Sequence, residues 1–313
     1  MASKPDIMMT APDYQTLIDT PTWAFIRETE AAYPPDTARL TIVDQRRIYD
    51  DMCQKFHAGS PQGVTARNAP MGGVACRHYT RIGSDNPVPQ VLFFHGGGFV
   101  VGGLESHDDI CAEICAATGM TVHAVDYRLC PEYPHPAAFQ DCLSVARSTR
   151  GPILLVGDSA GGALAACVAR ALCDPRVLGQ VLIYPVLGGR GDSYRHHAKA
   201  PMLTGDDVDF YAKMRRADLD DPTAYALGAQ DYTGLPPTFA IAAECDPLAS
   251  DASLYADRIT AAGGRAVAIT EPGLVHGFLR ARHTVPRARA SFARVTSTLS
   301  AFARHEWPFG DTP

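Results

Sequence analysis

The chain is short of lysine, has no apolar run long enough to cross a bilayer, and lacks the paired Cys/His spacings that hold a metal. Each absence removes a class of function. With a net charge of −6 over 313 residues and its arginines dispersed, the sequence has no basic stripe for a nucleic acid, so none is expected as a partner. The polar opening Met1-Ala2-Ser3-Lys4-Pro5-Asp6 leads into no signal-like apolar segment, which predicts a cytoplasmic protein with no membrane span. Gly-Lys-Ser/Thr and a helix-opening Gly-x-Gly-x-x-Gly are both missing, so no phosphate or dinucleotide loop is present and no cofactor is expected. The nine cysteines are an odd count scattered through apolar segments and read as buried free thiols. Cys111 and Cys115 lie one helical turn apart, but no second pair or neighbouring histidine completes a site; they read as core, and no metal is expected.

What is present is apolar content of 46%, spread without a composition break, which suits one large α/β domain with an insertion. Thr20-Pro21 predicts a helix start, with Thr20 as N-cap and the helix running Thr22 to Ala32; a second helix is predicted from Thr41 to Phe56 with Ile48, Met52 and Phe56 on one face. A hairpin is predicted over 64–80. From Val91 the pattern alternates strand and helix: strands at 91–94, 121–125, 153–156, 180–184, 238–243 and 265–270, with helices at 108–118, 136–148, 250–262 and 287–305. Such alternation implies a mostly parallel sheet flanked by helices. It lapses after Tyr184 into a glycine- and histidine-rich stretch and a helix near 205–216, where an insertion would sit.

The chemistry centres on Pro152-Ile-Leu-Leu-Val-Gly157-Asp158-Ser159-Ala160-Gly161-Gly162. Four apolar residues form a buried strand, and a run of helix formers follows. Gly-x-Ser-x-Gly between them is a nucleophile elbow: the serine occupies a strained turn, and a side chain two residues either side would collide with the neighbouring strand or helix. By itself the pentapeptide is also compatible with a plain glycine-rich turn. A serine hydroxyl needs a base, and the base needs a group that fixes its tautomer. His276 follows the last strand in Gly273-Leu-Val-His276-Gly-Phe278, and Asp246 follows strand 238–243 in Asp246-Pro-Leu248, with Glu244 and Asp251 as rival acids. The order Ser159, Asp246, His276 is that of a triad on an α/β-hydrolase sheet. His95-Gly-Gly-Gly-Phe99 follows the strand at 91–94, so that Gly97 and Gly98 with the Ala160 N–H are candidates for an oxyanion hole; His95 itself reads as an anchor for that loop.

Taken together, His95-Gly-Gly-Gly-Phe99, Asp126-Tyr-Arg-Leu-Cys-Pro-Glu-Tyr-Pro134, Gly157-Asp-Ser-Ala-Gly-Gly162, Asp246-Pro-Leu248 and His276-Gly-Phe278 resemble, in order, the bacterial hormone-sensitive-lipase-like carboxylesterases of the α/β-hydrolase superfamily. The resemblance implies an α/β-hydrolase fold with a helical cap, divided as 1–60 (N-terminal part of the cap), 61–187 (core), 188–222 (cap insertion) and 223–313 (core). It implies a serine esterase acting on a small-molecule ester, with Ser159, Asp246 and His276 as the triad and Gly97, Gly98 and Ala160 as oxyanion donors, and it makes Arg128 and Glu132 a structural ion pair. Amidase, formamidase or acyltransferase chemistry on the same triad, and a non-catalytic binding protein, are the rival functions. Two departures stand out: Ala249-Ser250-Asp251 replaces the Arg-Asp-Glu that often extends the acid motif, and Ala163 replaces an Asn after the elbow. The apolar residues of the two N-terminal helices and of the insertion predict a cover over the catalytic edge, with Phe25, Met202, Leu203 and Tyr211 against substrate; a homodimer contact is the other way to bury that surface.

Overall fold

A computed structural model of the chain describes residues 12–83 and 89–310; the polar opening 1–6 lies outside them. The N-terminal helices are α1 (Tyr14–Leu17), α2 (Thr20–Glu30) and α3 (Ile42–Gln54). The cap of α2 is Asp19 rather than Thr20: its carboxylate accepts from the Thr22 N–H, which leaves Thr20 and Pro21 inside the first turn, where the missing proline N–H does no harm. Thr41, the expected start of the second helix, is the N-cap of α3, and the helix ends at Gln54 rather than Phe56.

The hairpin β1 (Val64–Met71) and β2 (Val74–Arg81) precedes β3 (Gln90–Phe94), α4 (Asp108–Thr118), β4 (Val122–Val125), α5 (Ala137–Ser148), β5 (Ile153–Asp158), α6 (Ala160–Leu172) and β6 (Val177–Ile183). The insertion carries α7 (Ser193–His196) and α8 (Gly205–Arg215), and the chain closes with β7 (Thr238–Cys245), α9 (Ala249–Ala261), β8 (Ala266–Val275) and α10 (Pro286–Ala303). The eight strands form one sheet in the order β1-β2-β4-β3-β5-β6-β7-β8; β2 is antiparallel to both of its neighbours, and the other pairings are parallel. This is the α/β-hydrolase fold. Strands β3 to β6 are buried almost throughout, as parallel strands covered on both faces must be.

Register gathers the chemistry. β5 lies between β3 and β6, so the turn after it sits beside the loop after β3. On the other side, Cys245 of β7 pairs with Val275 of β8, so the next residue of each strand, Asp246 and His276, leave the same edge as neighbours.

Several expectations are corrected. Arg128 and Glu132 do not pair with each other: Arg128 meets Asp141 at 2.7 Å, and Glu132 meets Arg46 of α3 at 2.7 Å. Both remain structural, and Arg46 also donates to the carbonyls of Val100 and Cys130, tying α3 to the loops after β3 and β4. Cys173 is exposed, whereas the other eight cysteines are buried free thiols. Phe25 is not a pocket residue. It is 2% exposed and packs edge-on against Phe56, ring centroids 5.1 Å apart, between α2 and the end of α3. Burial of that kind makes Phe25→Ala destabilising by ~3–5 kcal/mol; urea unfolding of the two proteins measures it, and a change under about 1 kcal/mol would contradict this placement.

Candidate active site

Ser159 ends the β5 turn at φ 53, ψ −116, a left-handed conformation that a serine adopts only under constraint. Its N–H donates to the Ile183 carbonyl at 2.8 Å, which fixes the turn against β6. The flanking glycines are there for space. A Cβ on Gly157 would lie 2.2 Å from the Gly161 carbonyl oxygen, and one on Gly161 would lie 1.8 Å from that of Phe94. The serine hydroxyl is thereby held at the N-terminus of α6, where free N–H groups and the helix dipole favour negative charge.

His276 Nε2 lies 2.9 Å from Ser159 Oγ, and His276 Nδ1 lies 2.7 Å from Asp246 Oδ2. Asp246 is fully buried and divides its oxygens: Oδ1 accepts from the Leu248 N–H at 2.9 Å, which orients the carboxylate, and Oδ2 faces the imidazole. The rival acids point elsewhere. Glu244 accepts the Gly273 N–H at 2.7 Å. Asp251 accepts the N–H groups of Leu187 and Gly189 and the Tyr194 hydroxyl, tying the insertion to α9. The triplet Ala249-Ser250-Asp251 is therefore a bracket for the insertion. Ser250 joins in: its hydroxyl lies 2.7 Å from that of Ser193, whose hydroxyl also donates to the Pro247 carbonyl beside the acid.

The loop after β3 brings Gly97 and Gly98 to the same cavity as Ser159, while Ala160 is buried at the first position of α6. Among the described residues no hydrogen bond uses the N–H of Gly97, Gly98 or Ala160. Gly98 has φ 60, and a Cβ there would lie 2.2 Å from the Tyr211 ring, so only glycine lets the insertion close on this loop. His95 anchors it, with Nδ1 2.7 Å from the Gly96 carbonyl and its ring stacked on Tyr127 at 4.2 Å. Burial pushes the His95 imidazole down to about 3, with His107 adding to the effect, so it stays neutral. Asp158 is fully buried as well; burial alone would raise its carboxyl, but His107, the Arg280 charge and the Gly96 N–H outweigh that and hold it below the usual range.

The cavity over Ser159 has a volume of about 710 Å³. Met202, Leu203 and Tyr211 line it as expected, and Phe25 does not; from the N-terminal helices and the turn after them the lining comes instead from Thr29, Glu30, Tyr33, Tyr49 and Met52. Tyr49 lies one turn from Met52, so the apolar stripe of α3 carried a signal for it. Arg280 and Tyr184 had none: they reach the cavity from the segment after His276 and the end of β6. Backbone strain collects here too, since Phe99, Ser159, Tyr184 and Met202 all have positive φ and all line the cavity.

Burial pushes the Asp251 carboxyl up to about 7, against the three donors that hold its charged form. Because the unfolded value lies near ~3.9, the folded state keeps a proton that the unfolded chain releases; this contribution to stability is full below pH ~4 and is lost as pH rises through about 7. Denaturation midpoints of the wild type should therefore fall, relative to those of Asp251→Asn, between about pH 4 and pH 8; a constant difference across that window would refute it.

A family profile described as alpha/beta hydrolase fold matches residues 91–280. A carboxylesterase of Mycobacterium tuberculosis, NlhH, is 34% identical over 233 residues, covering 68% of this chain and 73% of that protein. Among solved structures, a hyperthermophilic esterase from the archaeon Pyrobaculum calidifontis superposes with a TM-score of 0.82 at 28% identity, covering 92% of this chain and 99% of that one. An esterase from the bacterial hormone-sensitive lipase family gives 0.79 at 26% identity, over 96% and 99%.

Proposed function

The chain belongs to the hormone-sensitive-lipase-like carboxylesterases of the α/β-hydrolase superfamily, and we propose that it hydrolyses carboxylic esters through Ser159, His276 and Asp246 by way of an acyl-enzyme. The observation that carries this reading is the unbroken relay Ser159 Oγ, His276 Nε2, His276 Nδ1, Asp246 Oδ2, with spacings of 2.9 and 2.7 Å, opening on a cavity.

His276 Nε2 takes the hydroxyl proton as Ser159 Oγ attacks the ester carbonyl carbon. Negative charge moves to the carbonyl oxygen, and the N–H groups of Gly97, Gly98 and Ala160 receive it, aided by the N-terminus of α6. Asp246 stabilises the imidazolium and keeps Nδ1–H pointed at itself. The imidazolium then protonates the leaving alcohol as the carbon–oxygen bond breaks. A water, deprotonated by the same Nε2, attacks the acyl-enzyme; its proton returns to Ser159 as the acid leaves. Proton and oxygen balance with one water consumed.

The N-terminal helices and the 188–222 insertion act as the cap. Met52, Met202, Leu203 and Val208 give the cavity apolar walls, supporting a short- to medium-chain acyl preference, since each buried methylene is favourable by ~0.8 kcal/mol until the space is filled. In a series of 4-nitrophenyl esters from acetate to palmitate, kcat/KM should rise over the first few carbons and then drop; a steady rise through palmitate would sink the size limit.

The function itself is tested on Ser159→Ala, expected to lose ester turnover by several orders of magnitude with its circular dichroism and melting unchanged. Asp246→Asn should lower kcat by about 10⁴, by analogy with the same change in a serine protease triad, whereas Glu244→Gln and Asp251→Asn lower it far less. A Ser159→Ala protein retaining more than a few per cent of activity would remove the serine from its role, and a larger loss at either neighbour than at Asp246 would reassign the acid.

A further inference from the structure

Arg280 lines the same cavity as Ser159 and His276. It lies four residues after His276 in the short 3-10 segment Phe278–His283, which opens on Gly277 at φ 75. A Cβ on Gly277 would sit 3.3 Å from Arg280 Nη2 and 3.7 Å from its guanidinium carbon. The missing side chain therefore leaves the guanidinium uncovered beside the residue that follows the histidine.

Its partners set it apart. Arg46, Arg77, Arg128, Arg282 and Arg294 each meet a carboxylate. Arg280 meets none among the described residues: Nη1 and Nη2 both reach only the Tyr49 hydroxyl, at 3.4 Å, and Nε has no acceptor. Arg215 also lacks a carboxylate, but its guanidinium is clamped between the rings of Phe99 and Tyr225, 3.7 and 4.6 Å from their centroids, and it does not line the cavity. Among the described residues, none of the acidic groups of the cavity wall forms an ion pair or hydrogen bond with Arg280. Glu30 and Asp209 are exposed, Asp207 closes the capping box with Thr204, and Asp158, which feels the Arg280 charge, gives its direct contacts to Gly96 and His107. A partly desolvated cation with no carboxylate bonded to it is costly, and one held on the wall of a substrate cavity has the substrate as its natural partner. The planar guanidinium presents parallel N–H donors that match a carboxylate in particular. The Tyr49 hydroxyl accepts from Arg280, which leaves its own proton to donate to the same anion.

Building on the ester-hydrolase reading above, we propose that the preferred substrate is an ester that also carries a carboxylate, and that Arg280, with Tyr49 behind it, binds that group. Two pairs of esters test this and tell on which side of the scissile bond the charge lies: 4-nitrophenyl hydrogen glutarate against 4-nitrophenyl valerate for the acyl side, and 4-acetoxybenzoate against 4-methylphenyl acetate for the alcohol side. In at least one pair the charged ester should have the higher kcat/KM in the wild type. The charged-to-neutral ratio should fall tenfold or more in Arg280→Met, mostly through KM, and less in Arg280→Lys, which keeps the charge but loses the fork. An unaltered ratio in Arg280→Met, or neutral esters preferred in both pairs, overturns the proposal. Binding without turnover keeps the test independent of the catalytic reading and of any folding defect in the arginine variants: Ser159→Ala should bind monomethyl glutarate at least tenfold more tightly than dimethyl glutarate, or 4-acetoxybenzoate than 4-methylphenyl acetate, by calorimetry, and equal binding within both pairs overturns the inference even if esters are hydrolysed. Failure of all four esters with the wild type, by contrast, would remove the esterase reading while this binding measurement still decides the role of Arg280.

Discussion

The site depends on one close approach, that of helix α6 to the backbone leaving β3. Gly161 lies so near the carbonyls of Phe94 and His95 that any Cβ there would enter the Phe94 oxygen. That contact sets the height of the Ser159 hydroxyl above the sheet and, at the same time, brings the glycine loop at 96–98 beside it. Strain at Ser159 is then over-determined by its neighbours: the N–H is bonded to β6, and α6 begins at once. A residue in so poor a conformation persists only because the surrounding packing leaves it no alternative.

Around this fixed centre the N-terminal helices join the main core through Phe25, Ile26, Met52 and Phe56, and polar brackets add to that burial. Arg46 ties α3 to the loop after β3 through the Val100 carbonyl and to the loop after β4 through the Cys130 carbonyl and the Glu132 carboxylate, and Asp251 ties the insertion to α9. The two parts of the cover also meet each other, with the Tyr14 hydroxyl 3.2 Å from His197 Nδ1. Such bonds fix position and register, while the apolar burial supplies most of the cohesion.

Charge placement follows a consistent logic below the cavity. Asp158 and Asp246 are both buried, and each has its oxygens assigned to donors. Arg282, two residues from Arg280, is satisfied by Asp109 and Glu113. Asp109, Glu113 and His283 would otherwise form a cluster of metal-ligating groups; the guanidinium in their midst makes them an ion-pair network instead. Against this background an arginine facing the cavity with only a phenol for company is an exception with a chemical meaning.

The sequence by itself determined the layers, the elements and the chemical cast. Alternating strand and helix patterns located the sheet, because fully buried parallel strands are short, apolar and bounded by turn residues. Glycines at 157, 161 and 97 marked where backbone must pass backbone, and the elbow, the positions just past strands and the chain order together pointed to Ser159, Asp246 and His276, with Glu244 and Asp251 left as rival acids. Pairings across long separations were beyond it. Arg128 and Glu132 lie in one motif yet bind Asp141 and Arg46, since a side chain's partner is chosen by which elements pack above it and not by proximity in the chain. Phe25 and Tyr33 belong to one short N-terminal stretch, one in the core and one in the cavity, and only the seating of α2 on the body of the fold decided which. The partners of Arg280 are a tertiary fact in the same sense: an arginine shows its charge in the sequence, but that among the described residues only the Tyr49 hydroxyl bonds to it is a property of the folded surroundings.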